Sequence, residues 1–557
     1  MKNTYIIFLM AFCTLACNSV NAFQSNQNNT LEQTIDLMME NHNDSNTPGA
    51  TIGIIKEGKI IFQKGYGMAD LKFKEVNSPK VLYNIASGSK QFTAFAVTSL
   101  IKQQKLSLTD TIGKFLPEFP NYGKGITIEN LLYHTSGIRD YMVLMWLSGK
   151  SFEATFDNKD ALNLIVRQNK LNFNPGDRCV YSNSNYILLA EIIHRVTGRT
   201  LAAYCSNLLK DLNMNSSGFG KYQTEEKSVI AKSYSKSGDN YLPFKDKYKA
   251  YGDGGMHTTM EDLARWDQAF YDSTSPVQHI LKRGTLNNGN LLSYGMGIQL
   301  DTYRNEPIQT HPGAFLGFRS ETLRFPERKI SIICLGNSED INPESITRAI
   351  ADIYVFGDKN STSLVQTHID KAVNKSLSVE NAMTLTGVYE VMPNVLIHIR
   401  YEDGMLSGQV TGQPIQMLYT DNNTNTFKIG VTNDRVEFSN LRNGKYQELT
   451  VLQTQGNTTA QRLSVLSPKD YSRYIGSYYS KEQKASYQFY SKDKNLYFKV
   501  GSNPEVEVQV LTSYNRIYFD YKNLEKATID FSLDSNGDAN GFLLSSDRVS
   551  GIEFVKK

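Results

Sequence analysis

The sequence predicts an α/β (α+β) domain, with an antiparallel sheet flanked by helices, followed by two tandem small antiparallel β-barrel-like domains. Three observations predict this organisation. Hairpin patterns bracket a long segment of helices and loops, a polar stretch follows them, and the remaining chain contains a weak internal repeat. At 557 residues the chain also exceeds the roughly 250–300 residues that one hydrophobic core supports, so several domains are expected.

The first predicted elements are a helix and a hairpin. Apolar residues recur at helical spacing within 30–43, and two β-rich runs at 50–56 and 59–66 are joined by Glu57-Gly58, a tight-turn signal. A second hairpin pattern covers 322–335, and a helical pattern follows at 346–353. Because residues from about 85 to 280 read mainly as helices and loops, the sheet is expected to take strands from both ends of the domain.

The C-terminal part repeats itself with an offset of about 90 residues, which predicts two β-domains of similar design. The segment 385–389 matches 474–478, and Asp403–Val410 matches Asp493–Val500. The predicted organisation is a signal peptide at 1–22, the α/β domain at 23–357, a polar linker at 358–383, and β-domains at 384–466 and 467–557.

The N-terminus has the features of an export signal. A short basic start leads into an apolar run from Tyr5 to Ala16, which is too short to span a bilayer. Cleavage before Phe23 is favoured over lipidation at Cys17, and a buried N-terminal helix is a third interpretation. The mature protein is therefore expected to be periplasmic or secreted, with a lipid anchor if Cys17 is modified.

Composition argues against two classes of partner. The 59 basic and 56 acidic residues give a net charge of +3 without a basic run, so nucleic acid is not an expected partner. Three cysteines outside the leader and eight histidines are dispersed, with no metal-ligand spacing, so no metal is expected. The sequence does not indicate the oligomeric state.

The first motif with chemistry is Ser87-Gly88-Ser89-Lys90, placed at the first turn of a predicted helix. Residues three apart lie on one helix face, so Lys90 can reach the Ser87 hydroxyl. A serine hydroxyl is a weak nucleophile that needs a neighbouring base. Taken alone, the motif is weak evidence, because it arises by chance in many long chains and is more typical of an ordinary surface helix.

A second motif is Tyr181-Ser182-Asn183, on a loop that enters a helical pattern. Tyr181 can pass a proton between Ser87 and a leaving group, and Asn183 can hold a substrate carbonyl. The structural alternative is a buried tyrosine followed by a helix-capping asparagine.

A third motif, His311-Pro312-Gly313-Ala314, precedes the later hairpin. On a strand beside a cleft, Gly313 would permit close approach of a substrate backbone, and the amide of Ala314 could join that of Ser87 in an oxyanion hole. His311 would line the same cleft. The structural alternative is a turn with a hydrogen-bonded histidine.

In this order the three motifs resemble those of the serine β-lactamases and penicillin-binding peptidases. The runs Asn84–Thr93, Ile128–Gly137 and Gly252–Leu263 resemble the class C β-lactamase-like branch, so the resemblance covers about residues 30 to 356. It implies a β-lactamase-like fold in which Ser87 is acylated, Lys90 and Tyr181 move protons, Asn183 positions the acyl amide, and no metal or organic cofactor takes part. His134-Thr135-Ser136-Gly137 and Gly254-Gly255 are interpreted as structural.

The chain departs from the pattern at His311, where β-lactamases usually carry a lysine for a substrate carboxylate. A histidine charged for only part of the time predicts weaker carboxylate recognition. A histidine at this place, together with the two C-terminal β-domains, resembles the D-aminopeptidase and esterase-like members of this group. The expected substrates are D-amino-acid-containing peptides or peptidoglycan fragments; a broad esterase, a weak β-lactamase and a penicillin-binding sensor without turnover are alternatives. The β-domains are expected to cover or shape the active-site mouth.

Overall fold

A computed structural model describes residues 31–220, 229–358 and 377–557, apart from short gaps at 393–394, 403, 411–415, 421–424, 430–433, 454–455, 464–470, 512–515, 522–524 and 547. The predicted leader at 1–22, with Cys17, and residues 359–376 of the predicted linker lie outside the described residues. The chain divides into two compact units. The first contains the described parts of Met1–Leu106, Ile193–Gly284 and Leu291–Ile369, and the second contains those of Ser107–Ile192, Thr285–Asn290 and Asp370–Lys557.

An antiparallel sheet forms the centre of the first unit, as the sequence predicts. Its strands lie in the order Gln299–Tyr303, Glu306–Thr310, Phe318–Phe325, Ile330–Gly336, Ala50–Lys56 and Lys59–Tyr66, with Gly313–Phe315 paired to Phe318–Phe325. The first hairpin has the predicted bounds, and it pairs with the later hairpin through Ala50–Lys56 and Ile330–Gly336. Strands from both ends of the domain therefore meet at the centre of one sheet.

Helices cover both faces of this sheet. On one face, helical residues 31–38 and the helix Pro343–Tyr354 share a buried apolar cluster with the strands. On the other face, Gly53 leaves room for Met260 of the helix Met260–Ala269, since a Cβ on Gly53 would lie 2.3 Å from the Met260 Sδ atom. Successive strand residues point to opposite faces, so one strand serves both layers.

The other elements of the first unit are short sheets and helices. Tyr83–Asn84 and Gly218–Phe219 pair with Met256–Thr258 in a three-stranded sheet. Two-stranded sheets join Met68–Asp70 to Glu75–Val76 and Tyr234–Ser237 to Asn240–Pro243. The remaining α-helices are Lys90–Lys102 and Leu201–Asp211, with 3-10 turns at Glu40–His42, Ala86–Ser89 and Pro276–Leu281.

The second unit begins with helices and ends with barrels. Its α-helices are Ile128–Leu132, Tyr141–Leu147, Asn158–Val166 and Val379–Leu385; Asn183–Thr197 begins in this unit and ends in the first. Its 3-10 turns are Ile112–Lys114, Asn121–Gly123 and Ser472–Tyr474. Across all the described ranges, no helix is both long enough and apolar enough to cross a membrane.

Two closed eight-stranded antiparallel barrels follow, which confirms the predicted fold class. The strands of the first barrel are Gly387–Met392, Val395–Glu402, Met405–Val410, Gln416–Thr420, Thr426–Ile429, Arg435–Arg442, Lys445–Leu452 and Thr458–Arg462. Those of the second are Gly476–Ser480, Ala485–Lys492, Asn495–Val500, Val506–Leu511, Arg516–Tyr521, Glu525–Leu533, Ala539–Ser546 and Ile552–Lys556.

The internal repeat has a physical counterpart at the start of each barrel. The buried Tyr389 hydroxyl donates to the Leu385 carbonyl at 2.8 Å, and the buried Tyr478 hydroxyl donates to the Tyr474 carbonyl at 2.9 Å. Each tyrosine thus bonds back four residues and fixes the turn into its first strand. The same local device in both barrels explains why the two segments share their sequence pattern.

Part of the helical region packs against the interior of the second barrel. Residues Val143, Leu144, Trp146 and Leu147 belong to the same buried cluster as the barrel interior. The Tyr487 hydroxyl donates to the carbonyl of Leu147 at 3.2 Å, and the Asn503 amide donates to that of Trp146 at 3.0 Å. The helix Tyr141–Leu147 is therefore part of the barrel core, although more than 300 residues separate it from the strands.

Candidate active site

The first motif lies where a strand turns into a helix. Ser87 is in the 3-10 turn Ala86–Ser89, and the α-helix begins directly after it at Lys90. Ala86 has a φ of 46°, a left-handed conformation that costs energy for residues other than glycine. The Asn84 side chain stabilises this turn by accepting a hydrogen bond from the Ala86 N–H at 2.8 Å. Ser87 is thus presented on a strained turn at the entrance of a helix.

Lys90 contacts Ser87 as the spacing predicts. Its Nζ atom donates to the Ser87 Oγ atom at 3.3 Å and to the Asp253 carbonyl at 2.7 Å. The Lys90 side chain is fully buried, whereas Ser87 is partly exposed. A buried amine in contact with a partly exposed hydroxyl is a pairing that can exchange a proton during nucleophilic attack.

The loop Gly252–Met256 supports this pair from the side. The Thr93 hydroxyl donates to the Gly252 carbonyl at 2.6 Å, and the Met256 N–H donates to the Ser89 Oγ atom at 3.0 Å. The interpretation of Gly254-Gly255 as a backbone requirement agrees with a φ of 81° at Gly255. The contact from Lys90 to the Asp253 carbonyl was missed, because a backbone acceptor leaves no residue-type signal.

The third motif lies next to the first. A Cβ atom on Gly313 would lie 2.2 Å from the Ile85 carbonyl oxygen, and the Ser320 hydroxyl donates to the same oxygen at 2.9 Å. The close neighbour of Gly313 is thus the chain's own backbone before Ser87. Ala314 is exposed on the same edge strand. Its amide as an oxyanion donor stays a prediction.

His311 is buried beside this motif and is uncharged at neutral pH. Its Nδ1 atom lies 2.9 Å from the Pro312 carbonyl, which can only accept, so Nδ1 carries the proton and Nε2 accepts from the Tyr294 hydroxyl at 3.1 Å. Burial, with the nearby positive charge of Lys90, lowers the pKa of His311 to about 3. The expectation of a partly charged histidine is therefore wrong.

The second motif lies in the second unit, on the residues that open the helix Asn183–Thr197. The Asp140 carboxylate accepts hydrogen bonds from the Asn183 backbone N–H at 2.7 Å and from its side-chain amide at 2.9 Å. The His134 ring contacts the Tyr181 ring with centroids 4.3 Å apart and an interplanar angle of 34°, and its Nδ1 atom accepts from the Ser182 N–H at 3.2 Å. His134 therefore lies against the second motif, and its interpretation as a structural residue stays a prediction.

Asp140 is a site residue that sequence reasoning missed. It is the N-cap of the helix Tyr141–Leu147, where its side chain accepts from the N–H groups of Met142 and Val143. An aspartate directly before an apolar helical run is a recognisable cap signal, so this residue was open to prediction. Its second role, as the anchor of Asn183, depends on a contact 43 positions away.

The structure therefore brings Ser87, Lys90, His311 and Gly313 together in the first unit, and Tyr181 and Asn183 with Asp140 in the second. The joint action of Tyr181 with Ser87 stays a prediction. Within the residues that the structure describes, no group of three or more His, Cys, Asp or Glu side chains could hold a metal ion.

Comparisons with known proteins agree with this geometry. Residues 31–355 match the family model described as Beta-lactamase. Protein flp of Staphylococcus aureus strain N315 is 32% identical over 340 residues, which cover 58% of this chain and 66% of that protein. The D-aminopeptidase of Brucella anthropi is 27% identical over 52% of this chain and 56% of its own length. This chain thus spans less than two thirds of the length of either relative.

One relative is matched over most of its length. Penicillin-binding protein 4* of Bacillus subtilis strain 168 is 25% identical over 430 residues, covering 72% of this chain and 92% of that protein. Among solved structures, an octameric penicillin-binding protein homologue from Pyrococcus abyssi has a TM-score of 0.55 at 21% identity, covering 77% of this chain and 99% of that one. That likeness concerns the fold. Since the family model matches more than half of the residues and the first and third motifs lie together as the family pattern requires, this chain belongs to the beta-lactamase family.

Proposed function

We propose that this protein is a serine hydrolase that cleaves amide or ester bonds through an acyl-enzyme on Ser87. The observation that carries the proposal is the contact from the buried Lys90 amine to the Ser87 hydroxyl, at 3.3 Å. That pair sits on a strained turn beside the edge strand Gly313–Phe315, whose middle residue, Ala314, is exposed. An extended substrate can lie along such a strand by backbone hydrogen bonding.

In the proposed reaction, Lys90 acts in its neutral amine form and accepts the proton of the Ser87 hydroxyl as the Ser87 Oγ atom attacks the substrate carbonyl carbon. The tetrahedral intermediate collapses when the bond to the leaving group breaks, and the leaving amine or alcohol takes up that proton. Tyr181 is the proposed partner of Lys90 in this transfer, and Asn183, held by Asp140, is the proposed ligand of the acyl amide. Water then attacks the ester on Ser87 and releases the acid.

The proposed substrates are peptides containing D-amino acids, or peptidoglycan fragments. Two observations support this class. A relative over 52% of the chain is named D-aminopeptidase, and His311 is neutral, so the third motif provides no positive charge for a substrate carboxylate. Because the third motif lacks this positive charge, we do not propose strong β-lactamase activity. A broad esterase is the simpler outcome if no peptide is cleaved.

The test compares Ser87→Ala and Lys90→Met with the wild-type chain on a neutral chromogenic ester and on matched D- and L-peptide amides. We expect Ser87→Ala to abolish turnover and Lys90→Met to lower kcat by roughly 10²–10⁴-fold, the usual contribution of a positioned proton-transfer group. Ser237→Ala, in an exposed hairpin turn of the same unit, is the matched control and should be silent. Full activity in Ser87→Ala would exclude the mechanism.

A second candidate function is penicillin binding without turnover, which the match over 92% of penicillin-binding protein 4* favours. Intact mass after mixing with a penicillin separates the two. A Ser87-dependent adduct that persists, without cleavage of any ester or peptide, would indicate a sensor. An adduct that decays would indicate weak β-lactamase turnover.

We also propose that the protein is exported, from the signal-like segment before Phe23. The N-terminal mass of the protein purified from its host tests this. A mass beginning at Phe23 supports cleavage, and a lipid-modified Cys17 supports anchoring instead.

A further inference from the structure

The second barrel contributes a loop to the segment that carries the second motif. Residues 548–551 connect the barrel strands Ala539–Ser546 and Ile552–Lys556. The Arg548 carbonyl accepts hydrogen bonds from the Asp140 N–H at 3.2 Å and from the Asn172 side-chain amide at 2.9 Å. The Ser550 N–H donates back to the Asn172 side chain at 2.9 Å. Backbone and side-chain bonds in both directions therefore fix this loop beside Asp140.

The Arg548 side chain reaches two residues of the candidate site at once. Its guanidinium carbon lies 5.4 Å from the centroid of the Tyr181 ring, within the range of a cation–π contact. Its Nη1 atom lies 3.9 Å from the Asp140 carboxylate oxygen that also holds Asn183. Arg548 is 35% exposed, whereas Asp140 is completely buried. One side chain of the barrel thus contacts Tyr181 and the anchor of Asn183.

Arg548 brings a positive charge to Tyr181 within the second unit. In that unit the Tyr181 ring also contacts the His134 ring, whose Nδ1 atom accepts hydrogen bonds, and the Asp140 carboxylate lies beside Arg548. Cys179, two residues before Tyr181, is exposed and donates its Sγ–H to the Tyr133 carbonyl at 3.4 Å, as a neutral thiol does. A nearby cation stabilises the negative charge that a tyrosine acquires when it gives up its proton.

The positive charge of Arg548 matters because the third motif provides no positive charge. His311 stands where β-lactamases usually carry a lysine, and it is neutral. We propose, resting on the function proposed above, that Arg548 is a positioning residue for Tyr181: the second barrel uses it to hold the phenol and to stabilise its deprotonated form during catalysis. In this arrangement the barrel takes part in the chemistry of the second motif through a residue that need not touch the substrate.

The test uses the full chain with three variants. Arg548→Met keeps an apolar side chain against the Tyr181 ring but removes the charge, Arg548→Lys keeps the charge, and Arg473→Met changes an exposed arginine of the same barrel as a control. The backbone bonds of the loop involve main-chain atoms at 548, which all substitutions retain. Urea unfolding midpoints of the variants establish that they are folded alike.

With a neutral chromogenic ester, we expect Arg548→Met to lower kcat about tenfold with little change in KM, because a cation–π contact has about that worth. Arg548→Lys should restore most of the rate. In Arg548→Met, the rise of kcat with increasing pH should occur at higher pH, because the Tyr181 phenol loses its proton less readily. A structural role alone would not produce rescue by lysine or a moved pH profile.

A second readout does not depend on turnover. Tyrosine labelled with ¹³C at Cζ reports phenol ionisation by NMR, and Tyr181→Phe identifies the signal of Tyr181. We expect its titration midpoint to rise in Arg548→Met. Unchanged kcat and an unmoved Tyr181 titration would overturn the proposal. An effect confined to the KM of carboxylate-bearing substrates would also overturn it, since Arg548 would then bind substrate. If Ser87→Ala kept its activity, the proposed function would fail while this titration still tested Arg548.

Discussion

Asn183 donates both its backbone N–H and its side-chain amide to the same oxygen of Asp140, at 2.7 and 2.9 Å. The other oxygen of Asp140 caps the helix Tyr141–Leu147, accepting from the Met142 N–H at 2.8 Å. One buried carboxylate therefore connects the second motif to a helix whose apolar side chains lie in the core of the second barrel. Local stability and the geometry of the motif are linked through this residue.

Asp140→Ala should lower both stability and activity. The loss of a helix cap costs about 1 kcal/mol, and buried donors without an acceptor cost about 1–3 kcal/mol, so we expect a loss of roughly 2–4 kcal/mol in the free energy of unfolding measured with urea. Asp157→Ala removes the cap of the helix Asn158–Val166 and is the matched control. It should cost about 1 kcal/mol without changing the ester rate. Equal effects of the two variants on kcat/KM would contradict a special role for Asp140.

The buried histidines should make the protein less stable in acid. Burial lowers the pKa of His311 to about 3 and that of His257 to about 4, below the ordinary value of 6.5. The unfolded chain therefore binds these protons first, and stability falls as pH decreases from about 6.5 towards the folded pKa values, by at most about 1.4 kcal/mol per pH unit for each histidine.

The slope of unfolding free energy against pH between 4 and 6 measures this effect. His311→Asn should make the slope shallower, whereas His279→Asn, at an exposed position, should leave it as it is. An identical slope in His311→Asn and the wild-type chain would show that His311 is not buried in its neutral form.

Gly313→Ala should impair catalysis by displacing the strand beside Ser87. The added Cβ atom would lie 2.2 Å from the Ile85 carbonyl and 2.5 Å from the Ser320 hydroxyl, distances that require backbone movement. A displacement of about 1 Å near reacting groups can cost about a hundredfold in rate. We therefore expect kcat/KM on the ester to fall by about that factor. Gly125→Ala is the control, since its Cβ would have no neighbour within 4 Å. A wild-type rate in Gly313→Ala would mean that the strand adjusts freely.

The ion pair between Arg139 and Glu482 should matter for stability more than exposed pairs do. The Arg139 Nη1 atom lies 2.6 Å from the Glu482 carboxylate, with side-chain exposures of 0% and 9%. Removing one partner of a buried pair costs about 3–5 kcal/mol, because the other charge stays buried. Glu482→Gln should show a loss of that order in urea unfolding. Glu505→Gln breaks the exposed pair with Lys492 and should have a much smaller effect on the unfolding free energy, because water screens that pair. Similar losses in both variants would be the contrary result.

The parts of the fold that depend on residues close together in the sequence could be predicted from the sequence pattern. The hairpin Ala50–Lys56 and Lys59–Tyr66 follows from its turn residues and apolar runs. The internal repeat predicts two similar barrels, and each barrel begins with the same hydrogen bond from a tyrosine hydroxyl. The contact of Lys90 with Ser87 follows from helical spacing. In each of these cases the partners lie within a few residues of each other or share one periodic pattern.

Other features depend on contacts that no local pattern records. The neutral state of His311 follows from its burial and from Lys90, 221 positions earlier in the chain. Arg548 reaches Tyr181 only because a barrel loop packs there, and the Asp253 carbonyl serves Lys90 with an atom that every residue possesses. The helix Tyr141–Leu147 was expected to belong with the α/β domain, yet its apolar face lies in the barrel core, which its sequence alone does not distinguish.

That helix also bears on the order in which the chain can fold during synthesis. Val143, Leu144, Trp146 and Leu147 leave the ribosome long before the barrel strands that bury them, the last of which ends at Lys556. At about 5–20 residues per second, the roughly 400 intervening residues take roughly 20–80 s to translate. Until those strands are made, most of the side chains that bury this tryptophan and the three aliphatic residues are absent, so this helical face is an expected site of chaperone binding or aggregation in the nascent protein.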